Sequence, residues 1–145
     1  MELAKRRDIT ALLHAMRSKD VYVRLEAAQG LSWLVLNARE SVKGLPPRRL
    51  QELVSALETA LSDADHRVRH QATAGLVELG GVQSHRPLRL AAEDAHADVR
   101  LVAVTALSYL DDPESRATLR KAAADTEHEI RWIDHARPGC FVCLR

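Results

Sequence analysis

The chain has 145 residues, 46% hydrophobic and 28% charged, with a net charge of +1, which is the make-up of one globular domain with room for a core. Its apolar share is 22 Ala and 21 Leu against five aromatics. Ala and Leu favour helix, whereas strands draw on β-branched and aromatic residues, so an all-β fold is excluded. No apolar run approaches the roughly 18 residues needed to span a bilayer. The opening Met1-Glu2-Leu3-Ala4-Lys5-Arg6-Arg7-Asp8 lacks the apolar core of a signal peptide, so a cytoplasmic protein with reduced cysteines is expected. Charge is uneven. Residues 1–50 carry ten Lys/Arg against five Asp/Glu, and residues 51–145 carry eleven against fifteen. That asymmetry steers an acidic partner toward the N-terminal end but falls short of a nucleic-acid-binding stripe.

One dipeptide recurs: Val23-Arg24, Val68-Arg69, Val99-Arg100 and Ile130-Arg131. Counted from each Arg, position −12 is Leu12, Leu57, Leu88 or Leu119, and position −6 is Ser18, Asp63, Asp94 or Asp125. Position +3 is Ala27, Ala72 or Ala103, and +7 is Leu31, Leu76 or Leu107. Such spacing gives one face of an early helix, a polar turn, and one face of a second helix.

In chain order this predicts four hairpins. The first spans 8–37, with helices 8–17 and 20–37 around Ser18-Lys19-Asp20. The second, 47–79, opens on Pro47, turns at Ser62-Asp63-Ala64-Asp65 and closes at Gly80-Gly81. The third, 86–110, pairs helices 86–94 and 97–110 and ends before Asp111-Asp112-Pro113. The fourth, 113–136, is incomplete, because Asp134 and Pro138 replace the Ala and Leu of the other units. Asp20 and Asp65 stand where they would cap second helices. A hairpin this small cannot bury its own face, so the units are expected to stack. The expectation is an all-α, right-handed α-solenoid over 1–136 with a tail over 137–145.

Asp63-Ala64-Asp65-His66-Arg67-Val68-Arg69, running on to Leu79-Gly80, resembles the HEAT repeat, most closely the short bacterial phycobilin lyase-type repeats. The likeness covers about residues 8–133. It implies a ladder of structural ion pairs that places Asp63, Asp94 and Asp125 beside Arg69, Arg100 and Arg131. With Ser18 in the first unit, that ladder is expected to begin at the second. The resemblance also implies that second helices line a concave face, with positions +2, +5 and +9 open to a protein or peptide partner. These are Glu26, Gln29 and Trp33, then Gln71, Ala74 and Glu78, then Val102, Thr105 and Tyr109. Trp33 and Tyr109 share position +9, and such anchors suit a peptide or helix. Gly30, Gly75 and Ala106 at +6 would let second helices approach closely.

Arg6, Arg7, Lys43, Arg48 and Arg49 read as a solvated basic edge, and the scarcity of aromatics leaves no stacking platform for nucleic acid. Repeated His-Glu pairs, which hold iron in HEAT-type deoxyhypusine hydroxylases, are missing: the positions after the anchors read Leu25-Glu26, His70-Gln71 and Leu101-Val102. His66, His96 and His128 fall at turns, as capping or solvated groups. Cys140 and Cys143 form a single Cys-x-x-Cys that supplies two of the four ligands zinc needs, with His135 and His128 able to complete the set if the last hairpin folds back. The preferred reading is an apolar tail of Phe141, Val142 and Leu144 that covers the end of the solenoid. No metal and no cofactor are expected, and no nucleophile–base pair or phosphate loop stands out. The function expected is therefore a non-enzymatic adaptor, with a small-ligand or chromophore-handling accessory as the alternative drawn from the lyase-type likeness.

Overall fold

A computed structural model describes residues 9–37, 44–80 and 82–132. Among them the regular elements are eight helices and no strand: α1 (Ile9–Ala15), α2 (Val21–Asn37), α3 (Pro47–Ala60), α4 (His66–Leu79), α5 (Val82–Ala91), α6 (Ala97–Leu107), α7 (Pro113–Ala122) and α8 (His128–Trp132). The fold is all-α. The tail over 137–145 lies outside the described residues, as do Arg6, Arg7, Lys43, His135, Cys140 and Cys143.

First helices end two or three residues before the sequence suggests, and for one reason. Each gives way to tight i→i−3 bonds that lead into the polar turn. After α3 these run from Leu61 N–H to the Glu58 carbonyl, Ser62 to Thr59 and Asp63 to Ala60, and the same tightening follows α1, α5 and α7. Second helices start on side-chain caps. Asp20 Oδ1 accepts the Tyr22 N–H and Asp65 Oδ1 that of Arg67, both at 2.8 Å. Before α6 the cap is His96, whose Nδ1 accepts the Asp98 N–H at 3.3 Å.

The third hairpin departs most from expectation: its first helix begins at Val82, four residues ahead of the anticipated 86. Gly80 closes α4 with φ of 64°, and the chain re-enters helix almost at once. Ser84 Oγ donates to the Gly80 carbonyl at 3.0 Å. Pro87 therefore falls inside α5, where it removes one backbone hydrogen bond, rather than near its start.

Packing divides the chain into two compact units, residues 1–87 and 88–145, with the boundary inside α5. In the first unit α2 lies chiefly along α4, while α1 packs on α2 and α3 on α4. Leu12, Leu31, Leu53, Leu57, Val68 and Leu76 are sealed from solvent there. Each such side chain contributes roughly 1.5–3 kcal/mol of burial. A Cβ on Gly75 would stand 3.2 Å from Leu57 Cδ2 and 3.6 Å from Ser32 Cα, so this glycine sets the close approach of α4 to both α3 and α2. In the second unit α6 packs against α7 and α8, and Val99, Ala103, Leu107, Leu119 and Ile130 fill the core.

Candidate functional site

The recurrent Asp and Arg build the turns from which any surface is displayed. At each turn the side chain at −6 accepts the backbone N–H two residues on: Ser18 from Asp20 (3.1 Å), Asp63 from Asp65 (3.0 Å), Asp94 from His96 (2.8 Å) and Asp125 from Glu127 (2.9 Å). The anchor arginine then folds back on its own turn. Nη1 of Arg24, Arg69, Arg100 and Arg131 donates to the two carbonyls at −6 and −5, at 2.7–3.2 Å.

Two of these guanidinia also reach forward to the following turn, which corrects the pairing expected for Asp63 and Asp125. Arg24 grips Asp63 through Nε (2.6 Å) and Nη2 (3.1 Å), and Arg100 grips Asp125 through the same two nitrogens (2.7 and 2.9 Å). Arg69 meets Asp63 at its backbone carbonyl, and Arg131 meets Asp125 in the same way. In these two cases the carboxylate rung joins the Arg of one hairpin to the Asp of the following one, once within each compact unit, and the first of them starts at Arg24. Ser18 keeps the local N–H bond that the other units take from Asp.

Electrostatics agree with this geometry. Burial by itself would raise the Asp63 carboxyl, but hydrogen bonds from the Arg24 guanidinium and the Asp65 N–H outweigh it and hold the group below the usual carboxylate range. The Arg100 hydrogen bond, working against burial, holds Asp125 low as well. Among the described residues no buried side-chain polar atom lacks a hydrogen-bond partner. These groups are structural in what they touch.

The exposed residues on the second helices are different in kind. On α2, Gln29 and Trp33 are open, Trp33 at 45% of its surface, while Glu26 is half-buried. On α4, Gln71, Ala74 and Glu78 are half-buried. In the second unit Val102 is half-buried, Thr105 is exposed, and Tyr109 is 74% exposed. Tyr109 lies just past α6, whose C-cap is Ser108, and so it stands on a turn, whereas Trp33 stands inside a helix.

Three residues of this surface were missed from the sequence: Tyr22, Arg67 and Leu36. Tyr22, 68% exposed, and Arg67 both occupy position −2 and meet directly, with the guanidinium carbon 5.7 Å from the ring centroid. Asp65 holds Arg67 from the other side, accepting from Nε at 3.0 Å and Nη2 at 2.8 Å. Leu36, 52% exposed, continues the stripe at +12. The signal was present, since −2 and +12 extend the +2, +5 and +9 positions into one helical stripe. Among the described residues no group of three His, Cys, Asp or Glu side chains is placed to hold a metal, and no helix is long and apolar enough to cross a membrane.

No protein-family model matches the chain, and no curated protein matches it. Among solved structures it is similar to a crystal structure of an engineered protein from the Northeast Structural Genomics Consortium. The TM-score is 0.66 at 18% identity, and the match covers 87% of this chain. The chain spans 59% of that engineered protein's length. At this identity the likeness concerns the fold alone: an all-helical architecture shared across most of the chain.

Proposed function

We propose that this chain is a HEAT-like α-solenoid that serves as a cytoplasmic, non-enzymatic adaptor, binding a protein or peptide partner through the exposed stripes of its second helices. The repeat register supports the solenoid reading. Four turns carry the same arginine-to-own-carbonyl bonds at matching positions, and two of them are joined to a following turn by the same two-nitrogen grip.

The observation that carries the binding reading is the exposure of Trp33. The Arg24–Asp63 rung and the leucine core hold the first unit together without it, yet Trp33 shares a stripe with Tyr22 and Leu36. Aromatic side chains held on a rigid helix lose little entropy when they dock, which is why they dominate binding energy where they are central. In the second unit Tyr109 offers a comparable anchor on its turn.

The test is partner capture by purified protein carrying Trp33→Ala, Tyr109→Ala, or both. Loss of capture with helicity unchanged by circular dichroism is the expected result. Undiminished capture by the double variant overturns the proposal.

A further inference from the structure

Within the first unit α1 and α3 touch at few points, and a groove of about 580 Å³ lies between them. Its size is that of a peptide or ligand site. None of its lining residues belongs to the Tyr22–Trp33 stripe. Leu13, Met16 and Ala56, all half-buried, give it an apolar lining, and His14, Arg17 and Arg49 stand exposed along it.

The charge around the groove is not balanced. Arg48 and Arg49 both pair with the one carboxylate of Glu52, at 3.3 and 2.9 Å. Asp63, the other acidic residue lining the groove, is already taken by Arg24. Arg17 has no ion-pair partner among the described residues. Positive charge is therefore left over beside an apolar floor, in the half of the chain that also carries the basic excess.

We infer that the groove between α1 and α3 docks an acidic amphipathic peptide, with apolar side chains on Leu13, Met16 and Ala56 and carboxylates toward Arg17 and Arg49. A basic segment fits poorly, because it would set like charges against the arginines. A purely apolar segment would leave the arginines without counter-charges. This surface is separate from the aromatic stripe, so the two proposals stand or fall independently.

The probe is a fluorescein-labelled Leu/Glu peptide about three turns long, with Leu at helical i, i+3, i+4 and i+7 spacing, read by fluorescence anisotropy against a Leu/Lys counterpart. Arg17→Glu reverses the free charge, and Ser55→Trp fills the groove from an exposed position on α3. The expected result is binding of the Leu/Glu peptide alone, weakened about tenfold or more by either substitution and by added salt, and untouched by Trp33→Ala. No binding of the Leu/Glu peptide, equal binding of the Leu/Lys peptide, or indifference to both substitutions overturns the inference. So does concentration-dependent self-association that Ser55→Trp abolishes without any peptide binding, since it would assign the groove to a second copy.

Discussion

Arg24 Nε stands 2.6 Å from Asp63 Oδ2, across 39 residues of sequence, while the same guanidinium holds the carbonyls of Ser18 and Lys19 in its own turn. One side chain therefore ties two consecutive turns. The coupling energy between Arg24 and Asp63 follows from this. In a double-mutant cycle of Arg24→Leu and Asp63→Asn, read by urea unfolding, the double variant is expected to lose clearly less than the sum of the singles. Pairing Asp63→Asn with Arg69→Leu gives the contrast, since Arg69 Nη1 donates to the Asp63 backbone carbonyl, which the Asp63 substitution keeps. Additive behaviour in the first cycle would rule out the forward rung.

Acid sensitivity has a defined direction. Asp63 and Asp125 titrate below their ordinary value in the folded protein. In the unfolded chain they titrate near 3.9, so on acidification the unfolded state takes up these protons first. The stability they contribute is complete above that value and is lost as pH falls from it through the lower folded value. Asp63→Asn with Asp125→Asn should flatten the drop in urea midpoint between about pH 5 and pH 3 relative to the parent. An unchanged slope would show that the rungs do not contribute to it.

Gly80 tests backbone strain apart from packing. An added Cβ would meet nothing within 4 Å, yet φ is 64° and ψ is −166°. Side-chain-bearing residues avoid that region, so Gly80→Ala should cost about 1–3 kcal/mol in chemical denaturation despite the open space. A neutral result would mean that the end of α4 relaxes without penalty.

Core and surface leucines should separate sharply. Leu57 is fully buried and its methyl groups lie against Gly75, so Leu57→Ala is expected to cost about 2–5 kcal/mol. Leu36, half exposed on α2, should change stability by no more than about 0.5 kcal/mol on the same substitution. Equal losses would contradict this division between core and stripe.

Much of the fold was legible because its signals are local. Leu12, Leu57 and Leu119 at −12, Ala27, Ala72 and Ala103 at +3, and Leu31, Leu76 and Leu107 at +7 are all buried, as helical spacing requires. Asp20 and Asp65 cap the helices they precede. α5 starts at Val82 rather than near 86, because the chain re-enters helix directly after the positive-φ turn at Gly80, which nothing local reveals. Of the candidate surface, Trp33 and Tyr109 are exposed, Tyr109 on a turn rather than on a helix face, Glu26, Gln71 and Glu78 are half-buried, and Tyr22, Arg67 and Leu36 were passed over. The Tyr22–Arg67 contact joins α2 to α4 and appears only when those helices lie side by side.

Propensity, capping and periodicity act over a few residues, so the helical character of the chain, the places of its turns and its apolar faces can be read along the chain. Which Arg takes which Asp is set only when the helices pack. Each guanidinium presents nitrogens in two directions, and spacing along the chain does not say which direction meets its own turn and which the following one. Packing of α2 along α4 settles that for Arg24 and Asp63. It also leaves Tyr22 and Trp33 on the outside, because a helix that buries Ala27, Leu31 and Leu34 must turn another side to solvent.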